Sequence, residues 1–344
     1  MPKDDLNYKF TENGLVYDFY DVFVPAENFR QPTLFTWGRG NEGQLGTNDT
    51  TSRKTPVTTF AGGTDWKSVS CGRKHTLAIK TDGSLWGWGN NQFGMLGIND
   101  TTNRSTPVTT FAGGTNWKSV ACGGYYVTAI KTDGTLWVWG VGGRQLGINN
   151  NDSKSTPVTT FAGGTNWKSV ACGGQHTAAI KTDGTLWIWG RGNEGQLGTG
   201  NGDSKNVPVT TFAGGTTWKS VVCGGYHTAA IKTDGTLWTW GKNSDFGQLG
   251  INDITNRNTP ITTFAGGTNW KQVSTQEGNH TTAIKTDGSL WVWGAGTNGQ
   301  LGTNDAITRS TPVTTFAGGN NWKQVFGAGS RTVAIKSGLN VDLS

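Results

Sequence analysis

The sequence predicts an all-β protein, a single propeller built from four-stranded antiparallel blades, on three observations. One phrase recurs six times in 344 residues, with Trp-Lys pairs beginning at Trp66, Trp117, Trp167, Trp218, Trp270 and Trp322, a period of 50 to 52 residues. Such a period belongs to stacked supersecondary units. Each copy holds short runs of β-branched and aromatic residues set between Gly, Asn and Asp turn signals. The 54 glycines recur too closely for helices of three turns.

The copy at 107–147 shows the elements in order. Pro107-Val108-Thr109-Thr110-Phe111 reads as a short strand with Pro at its first residue, where a ladder donor is dispensable. Ala112-Gly113-Gly114-Thr115-Asn116 is turn chemistry, and 117–122 is a second strand. Residues 127–131 form a third. Thr132-Asp133-Gly134 signals a tight hairpin, because Gly accepts positive φ, and 136–139 returns as a fourth strand. Trp137 and Trp139 then share one face, and Leu136 and Val138 the other. A lone sheet cannot bury two apolar faces. Sheets stacked face to face around an axis bury both, whereas a solenoid would need distinct capping repeats, and none is visible. Length changes among copies all fall in loops: 140–147 is one residue shorter than 38–46, 241–250 is one longer, and 274–280 gains one.

Six Leu-x-x-Trp-Gly strands occur, the first at 34–38 ahead of any full copy. Six Ala-Ile-Lys strands occur, the last at 334–336 with no Leu-x-x-Trp-Gly after it. The expectation is that Leu34 and Trp37 join Ala334 and Ile335, so that strand 34–38 completes the C-terminal blade and removes the last open edge. That gives six blades, with seven as the alternative if 15–24 and 339–343 add strands. The propeller is expected over 31–344, with 1–30 as a separate acidic and aromatic segment.

The net charge of +6 is uneven, because residues 1–30 carry six acids against three bases. Twelve basic residues are the two lysines stamped into every copy, as at Lys67 and Lys80, so they are expected to be solvated by-products of duplication rather than a nucleic-acid surface. The chain shows neither a charged-then-apolar leader nor an apolar run of about 18 residues, so no membrane role and synthesis in the cytoplasm are expected. Cys71, Cys122, Cys172 and Cys223 sit at one equivalent position, which points to separate buried thiols rather than disulfides.

The segments Val69-Ser70-Cys71-Gly72-Arg73-Lys74-His75-Thr76-Leu77-Ala78-Ile79 and Val170-Ala171-Cys172-Gly173-Gly174-Gln175-His176-Thr177-Ala178-Ala179-Ile180, with phrases such as Gly192-Asn193-Glu194-Gly195-Gln196-Leu197-Gly198, resemble the regulator of chromosome condensation repeat family. The resemblance covers about nine-tenths of the chain. It implies a β-propeller, seven-bladed in the founding member, which promotes nucleotide exchange on a small GTPase and sits on chromatin. The family's exchange activity uses a wedge inserted between blade strands, and its chromatin attachment uses a basic tail. No copy here carries an insertion beyond one residue, and the tail is acidic. The near identity of the copies resembles tandem arrays of bacteria and their tailed viruses.

Candidate sites follow from the repeat. His75, His176, His227 and His280 share one position, where a ring of imidazoles would be needed to hold a metal; lacking local ligand pairs, they are expected to bond backbone, with no metal and no cofactor. Asp82, Asp133, Asp183, Asp234 and Asp287 lie in Thr-Asp-Gly turns and are expected to serve them, leaving no catalytic residue. The 17 tryptophans recur at strand positions and are expected in the core. Six variable loops carry Asn48 and Asp49, Asn99 and Asp100, Asn150 and Asp152, Asn201 and Asp203, Asn252 and Asp253, and Asn304 and Asp305 as a recognition surface. In the N-terminal segment, Tyr17, Phe19, Tyr20, Val22 and Phe23 form an extended apolar stretch expected to dock the protein on a neighbour or along its own rim.

The function expected from sequence is a non-enzymatic structural or interaction module on a larger assembly, a component of a phage particle held by its N-terminal segment. The alternative is a multivalent glycan-binding propeller; a small-GTPase exchange regulator comes third. A protein partner is expected, with glycan as the other ligand class and nucleic acid disfavoured.

Overall fold

A computed structural model describes residues 33–337, and twenty-four short strands occur among those described residues. β1 (Phe35–Gly38) and β2 (Arg53–Thr58) form a two-stranded sheet. β3 (Trp66–Cys71), β4 (His75–Lys80), β5 (Leu85–Gly89) and β6 (Arg104–Thr109) follow as the first full antiparallel blade, paired in that order. The same order repeats in β7–β10 (117–159), β11–β14 (167–210), β15–β18 (218–262) and β19–β22 (270–314). β23 (Trp322–Ala328) and β24 (Arg331–Lys336) pair as a final two-stranded sheet.

The blade is therefore out of phase with the repeat as read along the chain. The Thr-Pro-Val-Thr strand that heads each copy is the last strand of the preceding sheet: Val108 pairs with Gly87 and Thr109 with Trp86. A long loop separates the two strands, so linear order conceals their pairing. Phe111 lies beyond the strand and is exposed.

Five sheets have four strands and two have two, so the described residues contain seven sheets. The expected closing ladder between 34–38 and the C-terminal strands is not formed among them. Each half-sheet is anchored to its own neighbour instead. Leu34 packs with Trp66, Val69 and Trp88 of the first blade, whereas Ala334 packs with Ile284, Leu290 and Val325 at the other end. Phe35 and Val333, on the strands that would meet, are left partly exposed. The two segments invoked for a seventh blade, 15–24 and 339–343, lie outside the described residues.

The core sits between sheets. Trp117, Val120, Val127 and Trp139 of the second blade close on Leu77, Ile79 and Leu85 of the first. Val138 and Tyr126 turn the opposite way, onto Cys172 of the third. Both faces of one sheet are thereby buried, as the alternation requires. Within a blade the Trp-Lys tryptophan meets both Trp-x-Trp rings edge-on: Trp66 lies 6.3 Å from Trp86 and 5.9 Å from Trp88. Such pairs contribute about 0.5–1.5 kcal/mol beyond area burial. The hairpin glycines are forced: at Gly134 φ is +81°, and a Cβ would stand 2.1 Å from the Thr165 carbonyl oxygen of the next copy.

Candidate functional site

Most of the groups singled out from sequence are consumed by the scaffold. His176 is buried, and its Nε2 meets Thr228 Oγ1 of the next blade at 2.9 Å. His227 meets Thr281 and Thr275, and His280 meets Thr332, in the same way. The expected bond to backbone is thus a bond to the next blade's threonine hydroxyl. For His75 the equivalent residue of the next blade is Val127, which has no hydroxyl, and neither of its ring nitrogens has a partner. Burial holds His75, His176 and His227 down to about 3 and His280 to about 4, so these imidazoles are neutral. Among the described residues no group of three or more His, Cys, Asp or Glu side chains is placed to hold a metal ion.

Each Thr-Asp-Gly aspartate closes its own turn. Asp183 Oδ1 accepts from the Thr185 backbone N–H at 2.9 Å and from its hydroxyl at 2.7 Å. The same hydroxyl accepts from Trp187 Nε1. These bonds lower the Asp183 pKa.

The copy-wide lysines of the Ala-Ile-Lys strands are not simply solvated. Lys181 Nζ lies 4.8 Å from the ring centre of Trp167 and 4.4 Å from that of Trp187, and equivalent pairs recur at Lys80, Lys131, Lys232 and Lys285. Cross-strand pairing of Trp167 with Lys181 brings ring and cation together, a relation invisible in linear sequence.

The six variable loops are also tied down. Asp100 holds Arg104 at 2.6 Å, Asp305 holds Arg309 at 2.6 Å, and Asp49 and Asp253 pair with Arg53 and Arg257. Asp152 and Asp203 face Lys154 and Lys205. Asn48, Asn99, Asn252 and Asn304 take left-handed backbone, and the N–H groups of Asn48, Asn99 and Asn252 bond Ser105, Ser155 and Ser310 of the following copy. Asn149, rather than Asn150, has that role in its copy, and Gly200, rather than Asn201, has it in the next. The loops are clamps between blades before they are anything else. Tyr17, Phe19, Tyr20, Val22 and Phe23 lie outside the described residues.

Two features at the surface are left over. One phenylalanine per copy, Phe60, Phe111, Phe161, Phe212, Phe264 and Phe316, is 63 to 74% exposed. The other feature is a convergence of turns at one end of the ring. In the near-identical copies the turn after the Cys strand carries Gly124, Gly174 or Gly225; in the first copy that residue is Arg73, and in the fifth the extra residue brings Glu277. Glu277 reaches across to the first blade, where its Oε2 accepts from Arg73 Nε at 2.9 Å. Its side chain is 10% exposed. Gln276 Nε2 donates to the Cys122 carbonyl of the second blade, and the Gln276 carbonyl accepts from Gly329 of the last sheet. One loop thus touches three other sheets. A cavity of about 340 Å³ lies beside it, lined by Gly72, Arg73, Glu277 and residues 328–331. Burial pushes the Glu277 carboxyl up, opposed by Arg73, and the carboxylate in turn raises Arg73. The sequence carried a signal for this pair, two departures of opposite charge at one turn of an otherwise repeated unit.

Comparison with known proteins places these observations. A family model described as the RCC1-like domain matches residues 30–335. The ultraviolet-B receptor UVR8 of Arabidopsis thaliana is 34% identical over 282 residues, covering 80% of this chain and 52% of the receptor, so the chain spans about half that relative's length. Human WBSCR16 superposes with a TM-score of 0.77 at 20% identity, over 93% of this chain and 85% of that one. Prp20p of Saccharomyces cerevisiae, a structure described with its binding to Gsp1p and histones, superposes with a TM-score of 0.74 at 21% identity over 90% and 80%. These relatives overturn the expectation of a phage component: a plant ultraviolet-B receptor and a GTPase regulator homolog of Caenorhabditis elegans are among the matched proteins, and the likeness to viral arrays lay in the closeness of the copies to one another. The repeated Cys-Gly-x-x-His-Thr and Gly-Gln-Leu-Gly phrases, the stacked four-stranded sheets and the match over residues 30–335 together show that the chain belongs to the RCC1-like domain family.

Proposed function

We propose that this propeller is a protein-binding platform of a regulatory protein, acting by docking partners rather than by catalysis. The observation that supports it most is the fate of the reactive groups. His176, His227 and His280, the turn aspartates and the Trp-x-Trp indoles are spent on bonds within and between blades, while exposed phenylalanines and the Arg73–Glu277 turn remain at the surface. A scaffold that uses its polar groups internally offers surface shape and charge, not a reacting constellation. Prp20p, which shares the fold, is described by its binding to Gsp1p and histones, and protein partners of that kind suit the reading.

The test is capture of partners on the tagged full-length chain, followed by titration of each purified candidate against the isolated protein. Saturable one-to-one binding of a protein supports the platform. A chain that binds no protein, or that responds saturably only to sugars, contradicts it.

A further inference from the structure

We propose that the cavity beside Arg73 is an anion-binding site that receives an acidic side chain of a protein partner, and that Glu277 is its internal stand-in. The inference rests on the platform reading and names the chemistry of one contact. Among the described residues, two that bear guanidinium groups, Arg73 and Arg331, line the cavity together with Ser330 and the glycines 72 and 329, and Glu277 is the one acid. The described lining is therefore net cationic. Arginine is suited to this task because its planar fork binds a carboxylate through two parallel bonds.

Glu277 fills the place imperfectly. It contributes one bond, from Oε2 to Arg73 Nε. Its Oε1 is buried without a partner, close to Gly124 of the second blade. Its backbone adopts φ +48°, a left-handed conformation that non-glycine residues adopt with strain. Burial disfavours its charge. An incoming carboxylate that remains partly hydrated meets none of these penalties. The guanidinium of Arg73 is accessible to it: the side chain is 55% exposed and is steadied by the Tyr125 ring 5.8 Å away.

A positioning role and a competing role for Glu277 give opposite outcomes. The probe is a capped tetraglutamate peptide, with capped tetraglutamine as the neutral control, titrated at low salt into the full-length protein and followed by NMR or calorimetry. Arg73→Gln should weaken tetraglutamate binding by about tenfold, as loss of a charge-assisted contact does. Glu277→Gln keeps the shape of the loop, removes the competing charge, and should tighten binding several-fold; Arg331→Gln should weaken it. Circular dichroism and thermal melting establish that each variant is folded. Equal weakening by Arg73→Gln and Glu277→Gln would mean that the pair only braces the ring, and would overturn the proposal. So would binding of tetraglutamine as tight as that of tetraglutamate, or saturation by inorganic phosphate without binding of the peptide. A captured partner held equally by wild type and Arg73→Gln would remove the cavity from the interface and leave the platform intact. A peptide response with the expected opposite shifts, in a chain that captures no protein, would retain the site and remove the platform.

Discussion

Trp189 Nε1 donates to the carbonyl oxygen of Gln145 at 2.9 Å, and Thr177 Oγ1 donates to the same oxygen at 2.8 Å. Gln145 belongs to the Gln-Leu-Gly turn of one copy, and Trp189 and Thr177 to the sheet of the next. The pattern recurs with Trp88 and Thr76 on Gln44, Trp240 and Thr228 on Gln196, and Trp293 and Thr281 on Gln248. The repeated Trp-Gly, His-Thr and Gln-Leu-Gly phrases are thereby parts of one joint, with the carbonyl supplying both lone pairs to two buried donors of the following blade.

Trp189→Phe keeps an aromatic ring, at some loss of volume, and removes the indole donor, leaving the Gln145 carbonyl one bond short. Chemical denaturation should show a loss of at least about 0.5–1.5 kcal/mol, the net worth of one hydrogen bond, since Thr177 still donates to that carbonyl.

Val127→Thr is expected to stabilise. It supplies the hydroxyl that His176, His227 and His280 find in the next blade and that His75 lacks. A gain of about 0.5–1.5 kcal/mol, typical of one intramolecular hydrogen bond, should appear as a raised denaturation midpoint. Thr228→Val should do the reverse, because it strips a partner from His176 and a donor from Gln196.

Acid should destabilise the propeller through its histidines. Their folded values of about 3 to 4 lie below the 6.5 of a free imidazole, so between those values the unfolded chain binds more protons. Stability is then complete above pH 6.5 and falls as pH drops, by up to about 1.4 kcal/mol per pH unit for each histidine. Denaturation midpoints measured from neutral pH downward should show this slope, and His176→Gln should make it shallower.

Lys181→Met keeps most of the stem over Trp167 and Trp187 but removes the cation. A loss of about 0.5–1 kcal/mol is expected for a partly exposed cation–π contact. Lys168→Met, on the exposed face of the adjoining strand, should change stability by less, and the difference between the two variants isolates the ring contact.

How much of this was legible follows from what each feature depends on. The strands and hairpins were, because Trp137, Trp139 and Gly134 obey local rules of alternation and turn geometry. Blade phase was not, since the pairing of Val108 with Gly87 spans a long loop that no local pattern measures. Lys181 read as solvated because its rings lie across the ladder. The histidines read as backbone partners because the hydroxyl of Thr228 stands 52 residues from His176. Closure by Leu34 and Ala334 matched the pattern, yet each is claimed by a different neighbouring core. Arg73 and Glu277 were visible as departures from the repeat, but only the ring brings residues 204 positions apart into contact.

The most direct test of the platform reading is hydrogen exchange on the full-length chain with and without a captured, saturably binding protein partner. Protection of surface segments of the propeller, the Arg73 and Glu277 turns among them, with the blade cores unchanged, is the expected result. Protection confined to residues outside 33–337, with every propeller segment exchanging as in the free protein, would contradict it.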